Sequence, residues 1–316
     1  MIEALIKAAF ENKASDIFLS EGSIARMKVN GQLMVAGDDP IEKDDIVSFW
    51  KRCGADPEYD GDRDSSYVAH NGVRFRVNLH RHLGKLGAVL RQINTEIPDL
   101  ESLGLPVDLL TRWVMAPAGI ILITGPTGSG KSTTLASSLE WLNQNLAKHI
   151  VTIEDPIEYL FESKKSLFTQ REVHTDTDSF ARGLRSSLRQ APDVILLGEI
   201  RDPETAQIAL QAAETGHLVL ATLHSANVSE TVERLTNLFP SEERESQLQL
   251  LSNMLIGICC QILLPAASEG LFLVTEHVEN TGVVRNYIRE SRIPCLLYTS
   301  DAADEGLGVD LGGRRI

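Results

Sequence analysis

The sequence has no apolar run long enough to cross a bilayer. Its longest, residues 114–125 and 254–264, fall short of the roughly 18 to 20 apolar residues a membrane helix needs. The N-terminal stretch carries Lys7 inside an amphipathic pattern (Ile2, Leu5, Ile6, Ala9, Phe10) and lacks the charged-then-apolar order of a secretory signal. Direct membrane insertion is not expected, and the chain is expected in the cytoplasm. Cysteine is scarce. Cys53, Cys259, Cys260 and Cys295 show no C-x-x-C spacing, which excludes a zinc ribbon or a disulfide framework and leaves buried reduced thiols. Positive charge is short too: 30 Lys and Arg against 44 Asp and Glu leave a net charge of -14. That balance opposes binding to a polyphosphate backbone, so no nucleic-acid partner is expected.

What the chain does have is 43% hydrophobic content over 316 residues, enough for two packed domains. Its organising stretch is Gly119-Ile120-Ile121-Leu122-Ile123-Thr124-Gly125-Pro126-Thr127-Gly128-Ser129-Gly130-Lys131-Ser132-Thr133, a buried-strand run feeding a Gly-rich turn and a helix. Gly125, Gly130, Lys131 and Ser132 meet the G-x-x-x-x-G-K-[ST] spacing. Glycines at 125, 128 and 130 let successive N–H groups converge on one anion. Lys131 supplies a charge for the β/γ-phosphates and the Ser132 hydroxyl a ligand for Mg²⁺, while the helix opening at Lys131 adds its positive end.

The first part of the chain reads as antiparallel α+β. A helix over residues 1–12 precedes a strand over 14–20. Asn30-Gly31 and Asn71-Gly72 each sit between strand-like runs and predict hairpins. A helix over 41–50 lies between them, and 88–93 is the last strand. In the second hairpin, period two puts Arg74, Arg76 and Asn78 on one face and Phe75, Val77 and Leu79 on the other. The first face is basic and the second is core. A solvated strand face and a cationic face aimed at the nucleotide both fit this pattern.

Residues 96–117 hold Pro98, Pro106 and Pro117 around a short helix and read as a linker. Strands over 120–124, 150–153, 194–197 and 218–222 then alternate with helices over 131–145, 179–190 and 203–215, which means a parallel sheet covered on both faces. Ligands of such sheets sit at the strands' carboxyl ends. Three clusters fall there. Glu154-Asp155-Pro156-Ile157-Glu158 places carboxylates where they can orient and deprotonate a water or hold Mg²⁺. Val194-Ile195-Leu196-Leu197-Gly198 delivers Glu199, and His217 and His224 bracket the last strand. Taken singly, each is also what a solvated strand end or a structural histidine looks like; together they point to one site.

These residues carry a family resemblance over residues 1 to about 293. The chain resembles the PilT branch of the secretion ATPase superfamily, motors that retract type IV pili. The stretch at Glu154–Glu158 resembles the family's Asp box, Gly198-Glu199-Ile200-Arg201-Asp202 its Walker B motif, and Ala213-Glu214-Thr215-Gly216-His217 through Thr222-Leu223-His224 its His box. Lys13-Ala14-Ser15-Asp16 with Val29-Asn30-Gly31 resembles the PAS-like N-terminal domain, and Val283-Val284-Arg285-Asn286-Tyr287-Ile288-Arg289-Glu290 is similar to the A-I-R-N-L-I-R-E motif, with Val-Val and Tyr replacing Ala-Ile and Leu.

The resemblance implies an α/β fold in which a RecA-like, parallel-sheet P-loop ATPase domain (118–294) follows a PAS-like α+β domain (1–97) and a linker (98–117). It implies a homohexameric, ATP-hydrolysing motor powering pilus retraction and twitching motility, with ATP and Mg²⁺ bound at Gly125, Pro126, Thr127, Gly128, Ser129, Gly130, Lys131, Ser132 and Thr133. Glu154 is the implied general base, Ser132 and Glu199 the implied metal ligands, and His224 the implied γ-phosphate sensor beside Lys131. Arg76 and Arg91 are the implied arginine fingers, reaching a neighbour's phosphates. The implied partner is an inner-membrane pilus platform protein, holding the motor peripherally at that membrane. No four-cysteine insert follows Glu199 of the kind extension motors usually carry, which favours retraction. A conjugation, effector-secretion or pilus-assembly motor is the alternative enzyme, and a non-hydrolysing ATP-binding paralogue the alternative of another class.

Residues 295–316 depart from all this. Cys295-Leu296-Leu297-Tyr298-Thr299-Ser300-Asp301-Ala302-Ala303-Asp304-Glu305 resembles one reading frame of a transposase-based sequencing adapter, and Val309-Asp310-Leu311-Gly312-Gly313-Arg314-Arg315-Ile316 the same frame continued. A non-native, extended and poorly packed tail on a C-terminally truncated domain is expected. Genomic reads running unchanged through these codons would overturn that expectation.

Overall fold

Alternating strands and amphipathic helices in the first third of the chain build one antiparallel sheet with helices on one face. A computed structural model describes residues 1–29, 31–58, 61–70, 72–93, 96–265 and 271–296. The chain divides into two units, Met1–Thr95 and Glu96–Ile316. The first holds α1 (Ile2–Glu11), β1 (Asp16–Ser20), β2 (Ile24–Val29), β3 (Gln32–Pro40), α2 (Lys43–Arg52), β4 (Arg63–Val68), β5 (Arg74–His82) and β6 (Lys85–Gln92). Its sheet order is β3-β2-β1-β6-β5-β4. Ile2, Ile6 and Ala9 form the buried stripe of α1, and Phe49, Trp50, Phe75, Val77, Leu79 and Leu90 fill the core beneath the helices.

Both expected hairpins are present. Val29 pairs with Gln32 and Val68 with Arg74, although Asn30 and Asn71 lie outside the described residues. A further hairpin, not expected from sequence, joins β5 to β6. His82 pairs with Lys85 across Leu83 (φ 49°) and Gly84 (φ 75°), the two positive φ angles that suit the strand twist. This turn starts the last strand at Lys85, ahead of the expected 88. Helix α2 starts later than the expected residue 41, because Ile41 is taken up in a bridge to Glu21.

The second unit holds α3 (Val107–Val114), β7 (Gly119–Thr124), α4 (Lys131–Asn145), β8 (His149–Glu154), β9 (Leu167–Glu172), α5 (Phe180–Ser187), β10 (Val194–Leu197), α6 (Pro203–Glu214), β11 (Leu218–Leu223), α7 (Val228–Asn237), α8 (Arg244–Met254), β12 (Leu255–Pro265), β13 (Leu271–Glu279) and α9 (Gly282–Arg289). Among the described residues its sheet runs β13-β12-β7-β11-β10-β8-β9, parallel except for β13 at one edge. The central strands β7, β10 and β11 are buried along their whole lengths, as continuous Ile/Leu/Val runs require.

The segment 98–117 differs from a free tether. Leu100, Leu105, Leu110, Trp113 and Val114 are buried with β7 and α4 in this unit's core, since a helix this apolar on one side has to cover something. Where the tail is expected to start, Leu296 is fully buried and Cys295 ends a 3₁₀ turn over Ile293–Cys295; residues 297–316 lie outside the described residues. Cys53, Cys259 and Cys260 are buried and Cys295 half-buried, all free. Burial pushes the Cys53 thiol up to about 12 and that of Cys260 up to about 11, so both stay protonated at neutral pH.

Trp113 lies so close to β12 that a Cβ on Gly257 would fall 2.2 Å from its ring. Gly257→Ala should therefore destabilise this unit by about 1–3 kcal/mol in urea unfolding, and Trp113→Leu in the same chain should return part of the loss. Additive losses in the double variant would show that the two positions do not share this space.

Candidate nucleotide site

Strand β7 ends in a loop that only glycine can shape. Gly125 (φ 144°) turns the chain where a Cβ would meet the Gln261 carbonyl oxygen at 2.2 Å and Ser129 Oγ at 2.6 Å. Gly130 (φ 88°) caps α4 in the left-handed region. Pro126, Thr127 and Gly128 form the exposed crest, and Ser129 is buried with its hydroxyl unpartnered. The first amides of α4 have no acceptor within the helix, and the helix dipole adds positive charge at that end. Lys131, only 8% exposed, folds its ammonium back on the loop and donates to the Gly125 and Pro126 carbonyls, each at 2.9 Å. Burial pulls this ammonium below its usual range, and the Glu199 and Glu158 carboxylates partly offset that.

Parallel register brings the other strand ends alongside. β8 delivers Glu154 and then Asp155, whose peptide bond to Pro156 is cis. Glu154 is buried; its Oε2 accepts from the Glu158 N–H at 3.5 Å, and Oε1 is buried with no hydrogen-bond partner. Burial pushes the Glu154 carboxyl up to about 7, with the Thr152 side chain and the Glu158 N–H partly offsetting it. A chamber of about 30 Å³ lies against it, lined by Ser132 and Ala136 of α4, Gly198 after β10, Thr222 of β11, and Tyr159 and Phe161. That is room for a water molecule.

Glu199 follows β10 and is met from two sides. Arg201 Nε donates to its Oε2 at 2.7 Å, and His224 Nε2 stands 3.4 Å from Oε1. Arg201 also lies 3.8 Å from Asp155, bridging the two acidic strand ends. The turn is short because Asp202 caps α6, accepting from the Thr205 N–H at 2.8 Å. His217 does not join this edge. It sits before β11, at the opposite end from His224, with Nδ1 3.0 Å from the Ala212 carbonyl oxygen. Arg201 was not singled out from the sequence, where it reads as one solvated charge among many; its position two residues after Glu199 was the available signal.

In the first unit the face carrying Arg74, Arg76 and Asn78 is corrected from basic to mixed. Arg76 and Arg91 stand directly opposite each other on β5 and β6, a like-charge pairing that costs energy unless acids intervene. They do intervene: Arg76 lies 3.6 Å from Asp64, and Arg91 donates to Asp16 at 2.8 Å.

Oxygen donors at Ser132, Asp155 and Glu199 suit a hard cation such as Mg²⁺, and the unpartnered Ser129 hydroxyl in the loop suits a phosphate oxygen. The comparisons with known proteins agree in direction. The family described as Type II/IV secretion system protein matches residues 1–284. The chain is 39% identical over 315 residues to the type IV pilus retractation ATPase PilT of Pseudomonas aeruginosa, spanning 98% of this chain and 90% of that one. The crystal structure of the pilus retraction motor PilT and bound ADP matches with a TM-score of 0.87 at 40% identity, over 94% of this chain and 88% of that one. The X-ray structure of the Legionella pneumophila ATPase DotB matches with a TM-score of 0.83 at 29% identity, over 94% and 87%. The fold is therefore α/β, a RecA-like parallel-sheet domain preceded by a PAS-like antiparallel one. With most of its length matched to the family and to a relative of nearly equal extent, the chain belongs to the Type II/IV secretion system protein family.

Proposed function

We propose that the chain is an ATP-hydrolysing motor that powers type IV pilus retraction and twitching motility. One observation carries the chemistry: Glu154, with one buried and unpartnered oxygen, lines the same chamber as Ser132 at the end of the phosphate loop. Such a carboxylate is placed to take a proton from a water attacking the terminal phosphate. Residues 125–133 hold the phosphates, with Lys131 leaving its two carbonyl partners for them. Ser132 and Glu199 hold Mg²⁺, which when bound neutralises developing charge on the phosphates. His224, already at Glu199, reads the terminal phosphate. Arg76 and Arg91 reach the phosphates of a neighbouring copy in a homohexamer. The motor works in the cytoplasm, held at the inner membrane by a pilus platform protein. The likeness to DotB supports a second reading, a related secretion motor with the same chemistry and another partner.

Lys131→Ala should abolish ATP turnover and weaken nucleotide binding, since it removes a charge-assisted contact to the transferred phosphate. Glu154→Gln should bind ATP and lose about 10²–10⁴ in kcat. A base with its carboxyl pushed up to about 7 is half-protonated near neutrality, so parent kcat should rise with pH through about 7. The same shift reverses the usual acid rule for stability: the folded state favours the protonated form, and stability falls as pH rises through about 7. Glu154→Gln should then melt several degrees above the parent at pH 8 and close to it at pH 5. Parent-like turnover in this variant moves the base elsewhere.

Sharing of sites has its own test. Arg76→Ala or Arg91→Ala protein mixed with Lys131→Ala protein should recover part of the lost turnover, because each subunit supplies what its neighbour lacks. A mixture as inactive as its parents, in rings shown to exchange subunits, counts against arginines acting in trans.

A further inference from the structure

The lining of the Glu154 chamber holds a hydroxyl that packing does not require. Tyr159, in the stretch between β8 and β9, is only 8% exposed. Its hydroxyl lies 2.9 Å from Thr133 Oγ1, on the first turn of α4 beside Ser132. A phenylalanine ring would line the chamber equally well. A buried phenol costs free energy unless it finds a partner, so the Thr133 bond is what this hydroxyl provides.

That bond closes a circuit. On the β9 side, Gln170 Nε2 donates to the Tyr159 carbonyl at 2.8 Å and its Oε1 accepts from the Phe161 N–H at 3.0 Å. Phe161 stacks on Phe168 with centroids 4.2 Å apart. Towards the carboxylates, the Ile157 N–H reaches Glu172 at 3.4 Å and the Glu158 N–H reaches Glu154 at 3.5 Å. Asn143 holds the far end of the stretch, donating to the Glu162 carbonyl at 2.7 Å and accepting from the Lys164 N–H at 2.9 Å. At the phosphate end of α4 the tie is Tyr159 to Thr133. The backbone that presents an N–H to Glu154 is thereby referenced to the loop that receives phosphate.

We propose that Tyr159 is a positioning residue: through Thr133 it registers the Glu154 carboxylate against the phosphate loop. This rests on the hydrolytic reading above. Displacements near 1 Å between a base and its phosphate cost about 10²-fold in rate, so a single hydroxyl that sets this distance is felt in kcat before it is felt in binding.

The test uses the full chain as Tyr159→Phe, Thr133→Val and the double variant. Without nucleotide, amide exchange at Ile157, Glu158 and Phe161 should quicken about tenfold in each single variant and no further in the double, the mark of one shared bond. With ATP, Tyr159→Phe should lose about tenfold in kcat while KM and the Kd for a fluorescent ADP stay within about threefold. Unchanged exchange in Tyr159→Phe, or additive exchange in the double variant, overturns the tie. Faster exchange with an unchanged kcat, or a kcat loss matched by an equal loss of ADP affinity, overturns the positioning role. A parent chain that turns over ATP keeps the hydrolytic reading standing whatever Tyr159→Phe does; a parent without turnover removes that reading itself.

Discussion

The seating of the phosphate loop on β12 is the contact on which the rest of the second unit depends. Gly125 lies where any side chain would strike the Gln261 carbonyl, so the loop is fixed by the neighbouring strand as much as by its own glycines. Gln261 also donates through Nε2 to Thr134 Oγ1 at 2.7 Å, and Thr124 Oγ1 donates to Cys260 Sγ at 2.9 Å. Strand β12 is itself pressed on Trp113 through Gly257. Strand, loop and helix therefore form one block. Amides held in such a block need little reorganisation when an anion arrives, and preorganisation is where the largest part of such catalysis comes from.

Against this block the carboxylates are treated differently. Glu199 meets Arg201 and His224, and Asp155 shares Arg201 with it. Glu154 is instead buried beside the Glu158 N–H and a small chamber, and its carboxyl is pushed up to about 7. Glu154 is thereby the acid able to carry a proton near neutrality. Arg201 adds a constraint of its own: whatever cation reaches Glu199 has to share or displace the guanidinium 2.7 Å away.

Much of this was legible in the sequence, and the boundary is physical. The helix over 131–145 and the strand over 194–197 were readable to the residue, because buried parallel strands leave continuous apolar runs and the glycines mark the loop. The order of the acids followed from strand ends. Strand β9 was not readable: Leu167–Glu172 is an edge strand, mostly half-exposed and rich in polar residues. Nor was β12, because α8 ends at Met254 and the strand begins at Leu255 with no glycine or proline between them. The seat of Gly125 on Gln261 and the tie of Tyr159 to Thr133 join residues far apart in the chain, and no local pattern encodes either. The basic reading of the Arg76 face failed for the same reason, since Asp16 and Asp64 arrive from other strands.

That mixed face has an energetic consequence. Arg76 and Asp64 are both about half exposed, at 41% and 51%, and an ion pair of such exposure is worth about 0–1 kcal/mol; Asp16, the partner of Arg91, is only 8% exposed. A phosphate group offers a guanidinium shorter, charge-assisted and often bidentate bonds, roughly twice as strong as neutral ones. Leaving Asp64 for a phosphate is therefore inexpensive for Arg76, whereas Arg91 leaving Asp16 strands a buried carboxylate and costs more. In the absence of an anion the acids offset the repulsion of two guanidinium groups held directly opposite each other across β5 and β6. Arginines that met no acid would be strained against each other; arginines locked in a buried pair could not let go. The Arg76–Asp64 pair lies between these, and Arg91, held on the buried Asp16, lies nearer the second.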